Sequence, residues 1–184
     1  MVFPKGNEAE FVKMAKQLGI DSLLFVYANP NDAKSARVQG KCGLLVEPKN
    51  VRHAHDRGFL AVCGGSREAL ERGADVVFGF ELDEGRDPTH FRASGLNQVL
   101  CKIAKEQRVR IGFSFAEVLR CSGVDRARLL GRFAQNIRLC AKYGVSMKIA
   151  SFATDPMMLR SKNDLASFFS VLGMSAKDVQ AALR

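Results

Sequence analysis

Short apolar runs recur along the chain, each bounded by Gly, Asn, Asp or Pro. Residues 23–27 (LLFVY), 42–46 (CGLLV), 59–63 (FLAVC) and 76–80 (VVFGF) are four of them. Residues 109–113 (VRIGF) and 147–152 (MKIASF) continue the series, and residues 1–3 supply an abbreviated seventh run. Strands that are apolar on both faces belong to parallel sheets covered by helices. Between the runs the period changes to that of a helix. Residues 8–18 place Phe11, Met14, Ala15 and Leu18 on one face and stop at Gly19. A short helix follows Ser66 and ends at Gly73. Ser94 is placed to cap a helix whose stripe is Leu96, Val99, Leu100, Ile103 and Ala104. A long helix opens at Asp125 and ends at Gly144. Ser161 and Asp164 form a capping-box pattern ahead of Leu165, Phe168, Phe169 and Leu172, and Ser175 begins the last helix.

This alternation predicts one α/β domain over residues 1–184, a TIM-barrel-like parallel barrel of about seven strands with outer helices. A full eightfold barrel takes about 250 residues. At 184 residues several crossovers must be abbreviated, above all around residues 30–75.

Composition narrows the class. With 47% hydrophobic and 26% charged residues, the chain is neither disordered nor collagen-like. No apolar run approaches the roughly 18 residues of a membrane span, and the N-terminus lacks a signal-peptide core. Five cysteines without a C-x-x-C pair speak against a zinc ribbon or thioredoxin site and for reduced core thiols in a cytoplasmic protein.

Charge changes the picture more. Residues 1–90 hold 12 basic and 13 acidic residues, whereas residues 91–184 hold 16 and 6. A neutral half joined to a basic half points to a polyanion partner. The sharpest feature is the long helix. Helical geometry puts Leu129, Leu130, Phe133, Ala134, Ile137, Cys140 and Ala141 on one face and Arg128, Arg132, Arg138 and Lys142 on the other. No acidic residue occurs between Arg126 and Lys142. A solvated helix normally interleaves Glu with Lys, so this accumulation of like charge is suited to a phosphate backbone. The chain has no Trp and two Tyr, and most of its 13 Phe sit in apolar runs. Base-stacking platforms are therefore not expected, and backbone recognition of structured RNA is.

Other chemistry is sparse. His53 and His55 form an H-x-H in a helical stretch, where i and i+2 side chains diverge, and are expected at the surface. Glu81, Asp83, Glu84 and Asp87 follow a strand, where barrel catalysis would sit; lacking a paired base or nucleophile, they read as a solvated acidic loop. Gly64-Gly65-Ser66 reads as a phosphate-cradling turn or as an ordinary strand-to-helix connection. Asn97, a poor helix former in the first turn of a helix, is either a local cap or a hydrogen-bonding group beside Arg92 at an RNA or partner surface.

Residues 92–174 carry a series of motifs: SGLNQVLCKIA from Ser94, RIGFSF from Arg110, LRCSG from Leu119, RARLL from Arg126 and N-x-R-L-x-x-K-Y-G from Asn136. ASFA from Ala150, LRS from Leu159, DLA from Asp164 and LGM from Leu172 complete it. In order and spacing the series resembles the ribonuclease P protein component 3 family, the archaeal counterpart of the eukaryotic thirty-kilodalton RNase P subunit. Residues 1–91 resemble the family only in strand-helix layout. The resemblance implies a barrel related to metal-dependent PHP phosphoesterases but without their metal site. It implies a non-catalytic subunit of the ribonucleoprotein that removes the 5′ leader of precursor tRNA. The RNase P RNA performs the cleavage with Mg²⁺, and the chain binds no cofactor of its own. The expected partners are that RNA, component 2 and the other protein subunits. Arg92, Arg120, Arg128, Arg132, Arg138, Lys142, Arg160 and Lys162 are the residues expected to meet RNA. The sequence departs from the family at Phe152, where glycine is usual, at Met158, where an acidic residue is common, and at Lys162, where proline is common. The rival readings are a stand-alone metal-dependent phosphoesterase of the same barrel and a general RNA-binding scaffold.

Overall fold

Each apolar run folds as a strand: β1 (Phe25–Tyr27), β2 (Cys42–Leu45), β3 (Leu60–Gly64), β4 (Val76–Phe78), β5 (Arg110–Ser114) and β6 (Met147–Ala150). The computed structural model describes residues 1–35, 42–82, 85 and 87–184. The six strands form one parallel sheet in chain order. Phe25 lies opposite Cys42, Val62 opposite Val76, and Ile111 opposite Met147. The expected seventh strand is a single residue. Val2 bridges in parallel to Phe25 on one edge of the sheet and to Ala153, just past β6, on the other. Its N–H donates to Leu24 O at 2.9 Å, and Phe3 N–H donates to Ala153 O at 2.8 Å. The two edges of the sheet thus meet on residues 2 and 3.

The early crossovers are short, as the chain length requires: α2 (Pro30–Ser35) and α3 (Val51–Asp56) have six residues each and α4 (Arg67–Glu71) has five. The later helices are α5 (Gln98–Glu106), α6 (Phe115–Arg120), α7 (Gly123–Tyr143), α8 (Lys162–Val171) and α9 (Ala176–Leu183); α1 (Glu8–Gln17) precedes the sheet. The Ser161–Asp164 capping box forms at the start of α8, and Gly144 ends α7 in the left-handed conformation that a C-terminal glycine adopts freely. Two helix readings change. Val99 is half exposed and Cys101 takes its place in the buried stripe of α5, and Ala141 on α7 is exposed. No helix among the described residues is long and apolar enough to cross a membrane.

Alternation along the strands divides the apolar residues into two layers. The outer layer packs between sheet and helices, where Phe113, Phe133 and Phe169 join β5, α7 and α8 with ring centroids 5.5–6.0 Å apart. The inner layer is small: Val26, Val62, Val76, Ala150 and Phe152, with Met1, Phe3, Leu24 and Phe78 against them. Phe152 has φ +50°, a left-handed backbone that favours glycine. This conformation suits the glycine that the resemblance leads one to expect at that position, and phenylalanine adopts it under strain. The strain is offset by packing, because the buried ring lies 4.9 Å from Phe78 and 6.1 Å from Phe3. It also occupies the space over Gly112, where a Cβ would sit 3.1 Å from Phe152 Cζ and 2.9 Å from Phe78 Cβ.

Candidate nucleic-acid interface

The long helix α7 presents two faces with different fates. Its inward face is Leu129, Arg132, Phe133, Asn136, Ile137 and Cys140, all buried. Arg132 and Asn136 fall three and seven residues after Leu129, so helical geometry carries both into the interior. Arg132 was expected to meet RNA and does not face solvent: it is 3% exposed. Its Nε donates to Asp87 Oδ1 at 2.9 Å, its Nη1 to Glu81 O at 3.0 Å and its Nη2 to Gly85 O.

The acidic segment is correspondingly not a solvated loop where the structure describes it. Asp83 and Glu84 lie outside the described residues. The Asp87 side chain is nearly buried and accepts from Arg132 Nε, from Ala93 N–H at 2.9 Å and from Arg92 Nη1 at 3.2 Å. Burial alone would raise its pKa, but these donors more than offset it and hold the carboxyl below the usual range. Glu81 is buried without such donors. Burial, opposed by its own backbone N–H and reinforced by the nearby Glu117, pushes its pKa up to about 8. Among the described residues no other residue hydrogen-bonds either of its carboxyl oxygens, and Ser114 Oγ and Asn136 Nδ2 likewise have no partner.

A second set of bonds fastens the segment after Asp87 to α7. Gln135 accepts from Arg92 N–H at 2.8 Å and donates to Arg92 O at 2.7 Å. Ser94 Oγ donates to Asn136 Oδ1 at 2.6 Å. Ser94 is therefore a buried tether and not a helix cap. The cap of α5 is Asn97, whose Oδ1 accepts from Val99 N–H at 2.9 Å and Leu100 N–H at 3.0 Å. This bond explains a poor helix former at that position. The Arg92 guanidinium lies over Gly131 of α7, where a Cβ would approach Arg92 Nε to 3.0 Å, and the side chain remains half exposed.

The outward face of α7 carries the remaining cations. Arg128 is exposed and pairs at 3.0 Å with Asp125 one turn earlier. Arg138 is exposed, and among the described residues it donates only to Ala134 O, within its own helix. Lys142 is exposed, its ammonium 5.7 Å from the Tyr143 ring centroid. Arg126 is exposed as well. The adjacent helix α5 extends this face: Tyr143 Oη and Gln98 Oε1 lie 3.1 Å apart, and the Lys105 ammonium lies over Gly144. Lys105 escaped the sequence reading because nothing local shows that α5 and α7 lie side by side. Its signal was the exposed spacing of Lys102 and Lys105 on a helix otherwise apolar on one side.

The other expected cations lie elsewhere. Arg120 pairs with Glu117 and donates to Thr154 Oγ1 at 2.8 Å. Arg160 donates to Met157 O at 3.0 Å and Leu159 O at 2.6 Å, with its guanidinium 5.7 Å from the Phe115 ring. Lys162 pairs with Asp21 at 3.1 Å. His53 is exposed on α3, and His55 Nε2 lies 2.8 Å from Asp75 Oδ2. Among the described residues no three His, Cys, Asp or Glu side chains converge. Gly65 is explained by packing, since a Cβ there would lie 2.8 Å from Phe80 N. The turn at residues 64–66 is a strand-to-helix connection capped by Ser66, whose Oγ accepts from Ala69 N–H.

The chain is similar to proteins of known family. It is 36% identical over 124 residues to ribonuclease P protein component 3 of Methanosarcina acetivorans, an alignment that covers 67% of this chain and 51% of that one. It is 34% identical over 186 residues to ribonuclease P protein component 3 of Methanosarcina barkeri, covering 99% of this chain and 66% of that one. The chain thus spans about half to two thirds of the length of these relatives. Its fold matches a chain in a cryo-EM structure of archaeal ribonuclease P with mature tRNA, with a TM-score of 0.73 at 20% identity over all of this chain and 87% of that one. Residues 86–184, which include α5, α7 and the Asp87–Arg132 clamp, match the family RNase P subunit p30. The chain belongs to the RNase P subunit p30 family.

Proposed function

We propose that the chain is a non-catalytic protein subunit of archaeal ribonuclease P, and that it binds the RNase P RNA through the outer face of α7 and the neighbouring end of α5. The observation that carries this reading is the run from Arg126 to Lys142, in which every charged residue is basic and Arg126, Arg128, Arg138 and Lys142 are exposed. Arg138 and Lys142 stand one turn apart, about 6 Å along the axis. Their mutual repulsion costs stability in the free protein and is relieved by a phosphate between them. The Asp87–Arg132 clamp and the Gln135 and Ser94 bonds hold the segment after Asp87 against α7, so the half-exposed Arg92 joins the same binding unit. Arg120, Arg160 and Lys162 complete the set of proposed RNA contacts.

In this reading component 2 and the other protein subunits are partners and precursor tRNA is the substrate of the assembly. The RNA cleaves the 5′ leader using Mg²⁺, this chain supplies no cofactor, and the assembly works in the cytoplasm. The test is reconstitution of precursor-tRNA cleavage from RNase P RNA and partner subunits with and without this chain. A gain in cleavage that needs both the chain and the RNA supports the proposal. Phosphoester hydrolysis by the purified chain alone, dependent on Mn²⁺ or Zn²⁺, would favour the stand-alone phosphoesterase.

A further inference from the structure

We propose that the N-terminal mouth of the barrel is a second anion site, separate from α7, which takes the phosphate group of a nucleotide. The first observation is direction. Gly112 faces the barrel interior, since its Cβ would meet Val76, Phe78 and Phe152. Arg110 lies two residues earlier on β5, and Lys148 lies opposite Gly112 on β6. Alternation therefore turns both cations inward at the end of the barrel where the strands begin. The second observation is space. Both side chains line an open cavity of about 1430 Å³, which Arg160 and Lys162 also border. Pockets that hold small ligands run about 300–1,000 Å³, so a nucleotide fits.

The third observation is missing compensation. Among the described residues neither Arg110 nor Lys148 has a carboxylate within ion-pair distance. Arg110 Nε donates to Asp75 O at 3.4 Å and Lys148 Nζ to Leu183 O at 3.4 Å, both long bonds to backbone. Among the described residues the side-chain carboxylates that line the cavity are Asp21, already paired with Lys162, and Glu8 of α1, and neither is within ion-pair distance of Arg110 or Lys148. Burial, with Arg110 and Lys162 beside it, pushes the Lys148 ammonium down to about 8. A doubly charged phosphate at this point would accept from the Arg110 fork and from Lys148 together. The concave shape favours a free mononucleotide or an unpaired nucleotide of an RNA over the convex side of a double helix.

The experiment titrates the full chain at low salt with 5′-AMP, with adenosine and with a short unstructured oligoribonucleotide. The readouts are calorimetry and the NMR titration of the Lys148 ammonium. We expect 5′-AMP or the oligonucleotide to raise the Lys148 pKa by about one to three. Lys148→Met and Arg110→Met should each weaken that binding by about tenfold or more. Arg138→Ala with Lys142→Ala should leave the 5′-AMP-induced shift of Lys148 unchanged while weakening total oligonucleotide binding, which separates this site from the RNA reading of α7. Binding of both phosphate probes identifies a free nucleotide as sufficient, and binding of the oligonucleotide alone identifies an RNA chain as the source; either supports the site. Equal binding of adenosine, or a Lys148 titration that no probe moves, overturns it. The titration of the unaltered chain decides the matter even where a variant fails to fold.

Discussion

Replacing Arg132 by Ala should damage the fold and spare RNA binding. The side chain is buried and holds together Asp87, Glu81 O and Gly85 O. Its loss leaves the nearly buried Asp87 carboxylate with Ala93 N–H and the half-exposed Arg92 as its donors. Breaking a buried pair by removing one partner costs about 3–5 kcal/mol. For a chain of this size each kcal/mol lowers Tm by about 2–4 °C, so a loss on the order of 10 °C is expected. Asp87→Asn should be less severe, because the amide oxygen still accepts. The double variant should show coupling rather than additivity. The assay pairs thermal unfolding with RNA affinity measured against salt well below the variant's Tm. The slope of log affinity against log salt should stay as in the unaltered chain. An unchanged Tm together with a shallower slope would refute the argument and make Arg132 an RNA contact.

Three further outcomes follow from particular side chains. Glu81 has its folded pKa raised to about 8 from an ordinary value near 4.5, so its contribution to stability is fully present below pH 4.5 and is lost as pH rises to 8. Across that window the unaltered chain should lose on the order of 4 kcal/mol relative to Glu81→Gln, and parallel pH profiles of the two would contradict the burial argument. Asn97→Ala should cost about 0.5–2 kcal/mol in denaturant unfolding by removing the α5 cap while reconstituted cleavage stays unchanged; lost cleavage at full stability would mark a functional residue. Phe152→Gly and Phe152→Ala should both destabilise, but the glycine variant should be the more stable by about 1–2 kcal/mol, because φ +50° strains alanine; the reverse order would show that the backbone there relaxes.

The barrel was legible because strand and helix periods are local properties of the chain. The runs at residues 23–27, 42–46 and 59–63 need no distant information, and even the brief strand at Val2 could be read from its apolar flanks. The short crossovers followed from chain length alone. What could not be read was where charge is neutralised. Arg132 lies 45 residues from Asp87, and only the fold brings them to 2.9 Å. Counted along the helix, Arg132 shares the spacing of Leu129 and Asn136, and that geometry was the available signal against an outward arginine. Ser94 shows the same failure: a serine before an apolar stripe reads as a cap, yet its partner is Asn136 on another helix. Phe152 lay at the limit of both kinds of information. The glycine expected there from the resemblance flagged its backbone, and only packing showed how the strain is held.

The central claim is that α7 meets RNA through exposed cations on its outer face. It is tested most directly by the salt dependence of binding to RNase P RNA for the unaltered chain and for Arg138→Ala with Lys142→Ala. Each lost phosphate contact should flatten the slope of log affinity against log salt by about 0.7–0.9, so the double variant should flatten it by about 1.4–1.8 with Tm no lower than that of the unaltered chain. An identical slope for the two proteins would contradict the account.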